Sequence, residues 1–125
     1  MQKRDSLADV MMTEPDDLSQ LLSLDEESVR SALKGRFEKT KIYTHINNLL
    51  VAVNPYKMLP LYGDAQLEAY AQYGKQSPGP HVFGVAAAAY RGLLDARSQS
   101  VIISGESGAQ ALARARLRWP AASGA

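Results

Sequence analysis

Length, composition and charge exclude several classes of protein. The chain has 125 residues, 46% of them hydrophobic, which fits one globular domain or part of a larger one. Its formal net charge of +1 is too balanced for a protein that binds nucleic acid or a membrane surface. Cysteine is absent, which excludes disulfides and thiolate metal sites, and no apolar run approaches the ~20 residues that a membrane span needs. With no visible secretory signal, the sequence predicts a soluble, cytosolic chain.

The first third of the chain predicts two helices. Residues 1–15 are polar and are interpreted as a flexible lead-in, and residues 16–18 resemble a helix start with an aspartate as N-cap. A second helix follows, capped either by Ser23, in a capping box with Glu26, or by Asp25. Its apolar side chains recur at helical spacing at Val29, Ala32, Leu33 and Phe37. Basic residues near its end suit the helix dipole: Lys34, Arg36 and Lys39.

A pair of strands is predicted next. Residues 42–46 are rich in β-formers, and Asn47 with Asn48 is a turn signal. Residues 49–53 form a short, wholly apolar run, which predicts a buried strand. Asn54 and Pro55 end it, because proline cannot continue the hydrogen-bond ladder.

The remaining pattern alternates helix and strand. Asp64 is predicted to cap a short helix through Leu67 and Tyr70, and residues 77–80 are a break rich in proline and glycine. Apolar residues at helical spacing predict a well-buried helix over residues 81–95. Residues 101–103 predict a second buried strand, which runs directly into a glycine-rich segment.

That glycine-rich segment, residues 105–109 (GESGA), has the features of an anion-binding loop. A strand that ends in such a turn exposes consecutive backbone N–H groups, which can surround a phosphate. The full phosphate-binding pattern is GxxxxGK[ST], but here the later positions read Gln110, Ala111 and Leu112. On the residues alone, an ordinary strand-terminating turn is the more frequent explanation of this pattern.

Several motifs together resemble the myosin motor head, in the family's order. GESGA resembles the opening of the myosin phosphate-binding loop, GESGAGKT. Asn54, Pro55 and, after six residues, Tyr62 match the purine-binding loop of the family. Residues 36–44, 49–56 and 80–90 resemble elements around that loop, as RFE…IYT, LLVAVNPY and PHVF…AY. The resemblance covers residues 16–109 and is greater to an unconventional myosin than to a muscle type.

The resemblance implies roles for individual residues. It implies that Asn54, Pro55 and Tyr62 line an adenine pocket, although Met58 stands where the family often has a basic residue. It implies that a phosphate cradle begins with the backbone amides of Gly105, Glu106, Ser107, Gly108 and Ala109. The departure begins at Gln110, where the family has a glycine that lets the loop turn tightly. Ala111 and Leu112 replace the lysine that neutralises phosphate charge and the hydroxyl ligand of Mg²⁺.

The resemblance also implies a fold and a function. The expected fold class is α/β, an incomplete P-loop NTPase-type myosin motor domain whose helices pack on the first strands of a central sheet. Residues 16–109 are assigned to its N-terminal portion and residues 110–125 to a divergent, disordered tail. In the full-length family the ligand is ATP with Mg²⁺, the partner is actin, and the location is the cytoplasm, in association with the cytoskeleton.

This chain is expected to be inactive alone. It lacks the loop lysine, the hydroxyl ligand and both switch regions of the family's actin-activated ATPase, so we assign no catalytic residue. The alternative is a non-catalytic truncated isoform that acts only through protein interaction. The abrupt change of composition at Gln110 suggests a different reading frame, an alternative exon or a gene-model error. Strands without their sheet neighbours further predict exposed apolar surface.

Plainer explanations account for the other polar and aromatic residues. His45 and His81 have no partner at ligand spacing and are interpreted as a strand surface residue and a helix N-terminal residue, so no metal site is predicted. Tyr62 and Tyr70 are more often half-buried packing residues than ligand contacts. Three arginines in residues 110–125 are too few to predict binding to nucleic acid.

Overall fold

One antiparallel β-hairpin and three α-helices make up the part of the chain that the structure, a computed structural model, describes: residues 14–72 and 78–106. The predicted α/β character is confirmed for these residues. The elements in chain order are a short 3₁₀ helix Leu18–Gln20, α1 Glu26–Glu38, β1 Tyr43–Ile46, β2 Leu49–Ala52, α2 Asp64–Gln72 and α3 Val82–Leu94.

The hairpin follows the predicted turn. Tyr43 pairs with Ala52 and Ile46 with Leu49, so only Asn47 and Asn48 lie in the turn. Asn47 has a φ of 53°, a left-handed conformation that asparagine tolerates better than most residues. A bridge from Asp17 to His45 adds the segment that precedes the 3₁₀ helix to the other edge of β1. The hairpin prediction is therefore confirmed in its position and its turn.

The N-cap of helix α1 is Asp25 and not Ser23. The Asp25 carboxylate accepts a hydrogen bond from the Ser28 amide at 2.7 Å, while the Ser23 hydroxyl donates to the same carboxylate at 2.7 Å. Ser23 therefore supports the cap instead of forming a capping box with Glu26. These hydrogen bonds, with the amide of Ser28 first, lower the pKa of Asp25 below its ordinary value.

Arg36 is the charged centre of the α1–β1 packing. Its side chain is 2% exposed, and it donates to the Thr44 hydroxyl at 2.8 Å and to the Tyr43 carbonyl at 2.8 Å. It also donates to the Pro15 carbonyl at 3.2 Å and pairs with the Asp16 carboxylate at 2.9 Å. The guanidinium thus connects α1 to β1 and to residues 15–16. The interpretation of Arg36 from the sequence, only as a charge that suits the helix dipole, missed this role.

The apolar core is small and lies between β1, α2 and α3. Its buried members are Ile42, Tyr43, Tyr70, Val82 and Phe83. Partly buried residues from β2, α2 and the long β2–α2 connection pack around them: Leu50, Leu59, Leu61, Tyr62 and Leu67. The core therefore holds the β2–α2 connection against the start of α3.

Three burial predictions are wrong for the described residues. Leu49 of β2 is 67% exposed, so the strand predicted at residues 49–53 is not buried. Residues 101–103 form no strand, and Ile102 is 89% exposed. Helix α3 is buried at Phe83 and Ala87 but exposed at its end, where Leu94 is 68% exposed. The common reason is that a strand or helix face becomes buried only against neighbours, and the described residues supply none on these faces.

The exposed apolar surface that was predicted is confirmed for the described residues, since Leu49, Ile102 and Leu94 belong to it. Within residues 14–72 and 78–106, no helix is long and apolar enough to cross a membrane.

Candidate functional site

The two segments that sequence analysis singled out meet at one cavity of about 420 Å³. Asn54, Pro55 and Tyr62 line one side of it. Residues 100–104, which lead directly into Gly105, line another side. Residues of the hairpin and of α3 complete the walls, among them Tyr43, Leu50, Val53, Val82 and Val85.

A local turn shapes the loop at Asn54. The Asn54 side-chain oxygen accepts a hydrogen bond from the Tyr56 amide at 2.8 Å, two residues further on. This Asx turn reverses the chain directly after β2. Tyr56 takes a φ of 52° within the turn and is 90% exposed. The turn thus leaves Asn54 and Pro55 beside the cavity while Tyr56 points away from the core.

Tyr62 is held in place by other aromatic residues. Its hydroxyl is 2.7 Å from the hydroxyl of Tyr43, within hydrogen-bond distance. Its ring meets the rings of His81 and Phe83 nearly edge-on, with centroids 5.6 and 6.0 Å away. The plain interpretation of Tyr62 as a half-buried packing residue is thus confirmed, and the same residue lines the cavity.

His81 connects the start of α3 to the loop that carries Tyr62. Its Nδ1 accepts a hydrogen bond from the Phe83 amide at 2.9 Å, which makes it the N-cap of α3. Its Nε2 lies 2.8 Å from the Leu61 carbonyl oxygen. The prediction of a helix N-terminal residue is confirmed, but the bridge to Leu61 has no signal in the sequence because it depends on the path of the β2–α2 connection.

The predicted phosphate cradle is described only at its beginning. Gly105 and Glu106 are exposed and follow the cavity-lining Ser104. Ser107, Gly108 and Ala109 lie outside the described residues. Residues 14–72 and 78–106 contain no group of three His, Cys, Asp or Glu side chains that could hold a metal ion.

The cavity has the chemistry of a site for a flat, uncharged ring. No charged residue is among the described residues that line it. Its volume falls within the range of about 300–1,000 Å³ that is usual for small-molecule pockets. Two asparagines, two serines and two tyrosines bring polar groups to a lining that is otherwise apolar: Asn48, Asn54, Ser100, Ser104, Tyr43 and Tyr62. Such a lining suits a heterocyclic base and does not suit a phosphate chain, which needs cationic or amide donors.

Comparison with known proteins identifies the family. A family model described as myosin head (motor domain) matches residues 15–117. The chain is 48% identical over 95 residues to myosin type-2 heavy chain 2 of Schizosaccharomyces pombe, an alignment that covers 75% of this chain and 4% of that protein. It is 47% identical over 94 residues to human unconventional myosin-XV, covering 74% and 3%. It is 44% identical over 110 residues to human unconventional myosin-Vc, covering 86% and 6%. The chain therefore spans only a small part of each of these relatives.

Proposed function

Since this chain belongs to the myosin head (motor domain) family, we propose that it forms the adenine-side wall of the ATP site of an actin-based motor. One observation carries the proposal. Asn54, Pro55 and Tyr62 line the same cavity as residues 100–104, which precede the predicted phosphate loop. Residues that are 38 to 50 positions apart along the chain thus face one space that suits an adenine ring.

The proposal also assigns the described strands to a larger fold. The hairpin β1–β2 and residues 101–103 would be parts of the central sheet of a P-loop NTPase-type motor domain. The exposed apolar side chains of Leu49 and Ile102 support this assignment, because sheet strands of α/β domains are normally covered on both faces. The actin contact and the association with the cytoskeleton are proposed for the whole motor head.

Hydrolysis by this chain is not proposed. Phosphoryl transfer depends on cationic groups and Mg²⁺ that stabilise charge on the transferred phosphate. Ala111 and Leu112 stand where the family has the lysine and the metal-binding hydroxyl. These two residues favour a second candidate, a non-catalytic isoform that acts through protein interaction, and nucleotide binding distinguishes the two.

Saturating MgATP is expected to raise the thermal midpoint of the 125-residue chain. A ligand at 100 times its Kd adds about 2.7 kcal/mol to the free energy of unfolding, which a circular-dichroism melt resolves. Adenosine should produce part of this shift, and inorganic tripolyphosphate should produce none, because the cavity lining is uncharged. A midpoint that does not respond to MgATP would favour the interaction protein.

Replacing either of two alanines by tryptophan tests where the nucleotide binds. Ala52 lines the cavity, so Ala52→Trp should fill it and abolish the MgATP shift. Ala88 is exposed on α3 and does not line the cavity, so Ala88→Trp should keep the shift. If both variants respond to MgATP like the wild type, the nucleotide does not occupy this cavity.

A further inference from the structure

We infer that His81 is a positioning residue for the adenine-side loop: its neutral ring fastens the Leu61 carbonyl to the N-terminus of α3 and thereby holds Tyr62 at the cavity. The inference rests on the proposed function of that cavity and names the residue that orients its wall. It is carried by the hydrogen bonds of His81 and by the rings packed around it.

The two ring nitrogens have fixed and different roles. Nδ1 lies 2.9 Å from the Phe83 amide, a donor, and must therefore be an unprotonated acceptor. Nε2 lies 2.8 Å from the Leu61 carbonyl, an acceptor, and must therefore carry the proton. Only the neutral imidazole with its proton on Nε2 satisfies both partners. A second proton on Nδ1 would face the Phe83 N–H group and break the cap of α3.

Leu61 is directly bonded to Tyr62, so the bridge acts on the wall of the cavity. The Leu61 amide also donates to the Leu59 carbonyl at 2.8 Å, which keeps this part of the loop tightly turned. The Tyr62 ring packs on His81 and Phe83, and its hydroxyl lies against Tyr43. Losing the bridge at Leu61 would therefore let Tyr62 move relative to the cavity.

The surroundings of His81 favour the neutral ring. His81 is 5% exposed, and four aromatic rings lie around it, those of Tyr43, Tyr62, Tyr70 and Phe83, with centroids 4.4–5.6 Å from its own. Burial lowers the pKa of His81 below its ordinary value of 6.5, and the hydrogen bond to Leu61 opposes this shift in part.

Among the residues that the structure describes, the titratable groups that face His81 do not supply a counter-ion. Tyr43 from β1, Tyr62 from the loop and Tyr70 from α2 face the ring, and the Tyr70 hydroxyl donates to the Gly79 carbonyl at 2.9 Å. Burial, with the negative charge of Asp16 as a second cause, raises the pKa of Tyr70, so its phenol is neutral. Asp16 is itself paired with Arg36 at 2.9 Å, so its charge is compensated.

The sign of the pH effect follows from the direction of the pKa shift. Between the lowered pKa of the folded state and the ordinary value of 6.5, the unfolded chain binds a proton at this histidine while the folded chain does not. The stabilisation is therefore complete above pH 6.5 and is lost as the pH falls toward the lower pKa of the folded state. Within that window the folding equilibrium constant should fall up to about tenfold per pH unit.

His81→Asn tests the bridge while keeping the cap. Asparagine is among the best N-cap residues, so α3 should form normally, but its side chain is too short to reach Leu61 as well. We expect MgATP to bind about three- to tenfold more weakly, the effect of one lost hydrogen bond, and the folding equilibrium to lose the pH dependence that His81 gives it. His45→Gln is the control, because His45 is the other histidine of the chain and lies on β1. The His45→Gln variant should retain the pH dependence of the folding equilibrium.

Two NMR measurements test the bridge without any nucleotide. Nitrogen-15 spectra of the wild-type ring should show the Nε2–H tautomer. The amide signals of Leu61 and Tyr62 should shift in one proton step as His81 titrates, and should not shift in His81→Asn.

The inference would be overturned if the neutral ring carried its proton on Nδ1. It would also be overturned if the amide signals of Leu61 and Tyr62 did not shift as His81 titrates. Wild-type protein that shows both NMR signatures but binds no MgATP would instead overturn the proposed function of the cavity and leave the bridge as a structural contact.

Discussion

Replacing Arg36 by alanine is expected to lower the free energy of unfolding by about 2–6 kcal/mol, because it removes a buried guanidinium that donates to two buried acceptors. The side chain is 2% exposed and donates to four acceptors in two segments of the chain, residues 15–16 and β1. Alanine would leave the Tyr43 carbonyl and the Thr44 hydroxyl buried without this donor, and each unsatisfied group costs about 1–3 kcal/mol. Domains are usually stable by only about 5–15 kcal/mol, so the variant should lose a large part of its stability.

Urea unfolding followed by circular dichroism measures this change. Arg30→Ala is the matched control, because Arg30 lies on the same helix and pairs with Glu26 at 2.7 Å on the exposed surface. An exposed pair of this kind contributes about 0.5 kcal/mol or less, so the control should unfold close to the wild type. Equal effects of the two substitutions would contradict the central role of the buried guanidinium.

Replacing Phe83 by alanine should destabilise the chain by about 3–5 kcal/mol, the usual cost of truncating a buried phenylalanine. Phe83 is 2% exposed and packs against the rings of Tyr62, Tyr70 and His81. The core of the described residues is small. Few neighbouring side chains can therefore move into the void that the missing phenylalanine ring would leave. Loss of the contact with Tyr62 should also weaken the MgATP-dependent shift in those molecules that remain folded.

The chain contains a natural control for this substitution. Phe37, the other phenylalanine, is 38% exposed at the end of α1. Phe37→Ala should cost about 1 kcal/mol or less, because only part of its apolar surface is removed from water. The comparison is made by thermal and urea unfolding of both variants. A stable Phe83→Ala variant would show that the α2–α3 core contributes little to the fold.

Local patterns predicted most of the elements, because the forces that set them are local. The two asparagines between apolar runs determine where the hairpin turns, and Asp25 provides a helix start that needs only the next three residues. A resemblance predicted a purine-binding role for Asn54, Pro55 and Tyr62. The structure places all three at one cavity, and the role itself stays a prediction.

Burial was predicted less well, because it depends on which helices and strands pack against one another and not on the local sequence. Residues 101–103 have a strand-like composition but form no strand, since a strand needs a neighbour for its hydrogen-bond ladder. Arg36 stands among basic residues at the end of a helix, and nothing local indicates that it turns inward to meet Thr44. His81 likewise shows its capping position in the sequence but not its contact with Leu61, which lies 20 residues earlier.

From the contacts of residues 14–17 we expect an order of events in folding. The hairpin closes over two residues, whereas the Asn47 amide reaches the Asp17 carboxylate across 30 positions and Lys39 reaches Glu14 across 25. Hairpins form in about 1–10 μs, while longer loops carry a larger closure entropy. Residues 14–17 should therefore dock on a hairpin that already exists and detach before it melts. In native-state hydrogen exchange, the His45 amide, which donates to the Asp16 carbonyl, would then lose its protection before the amides between β1 and β2.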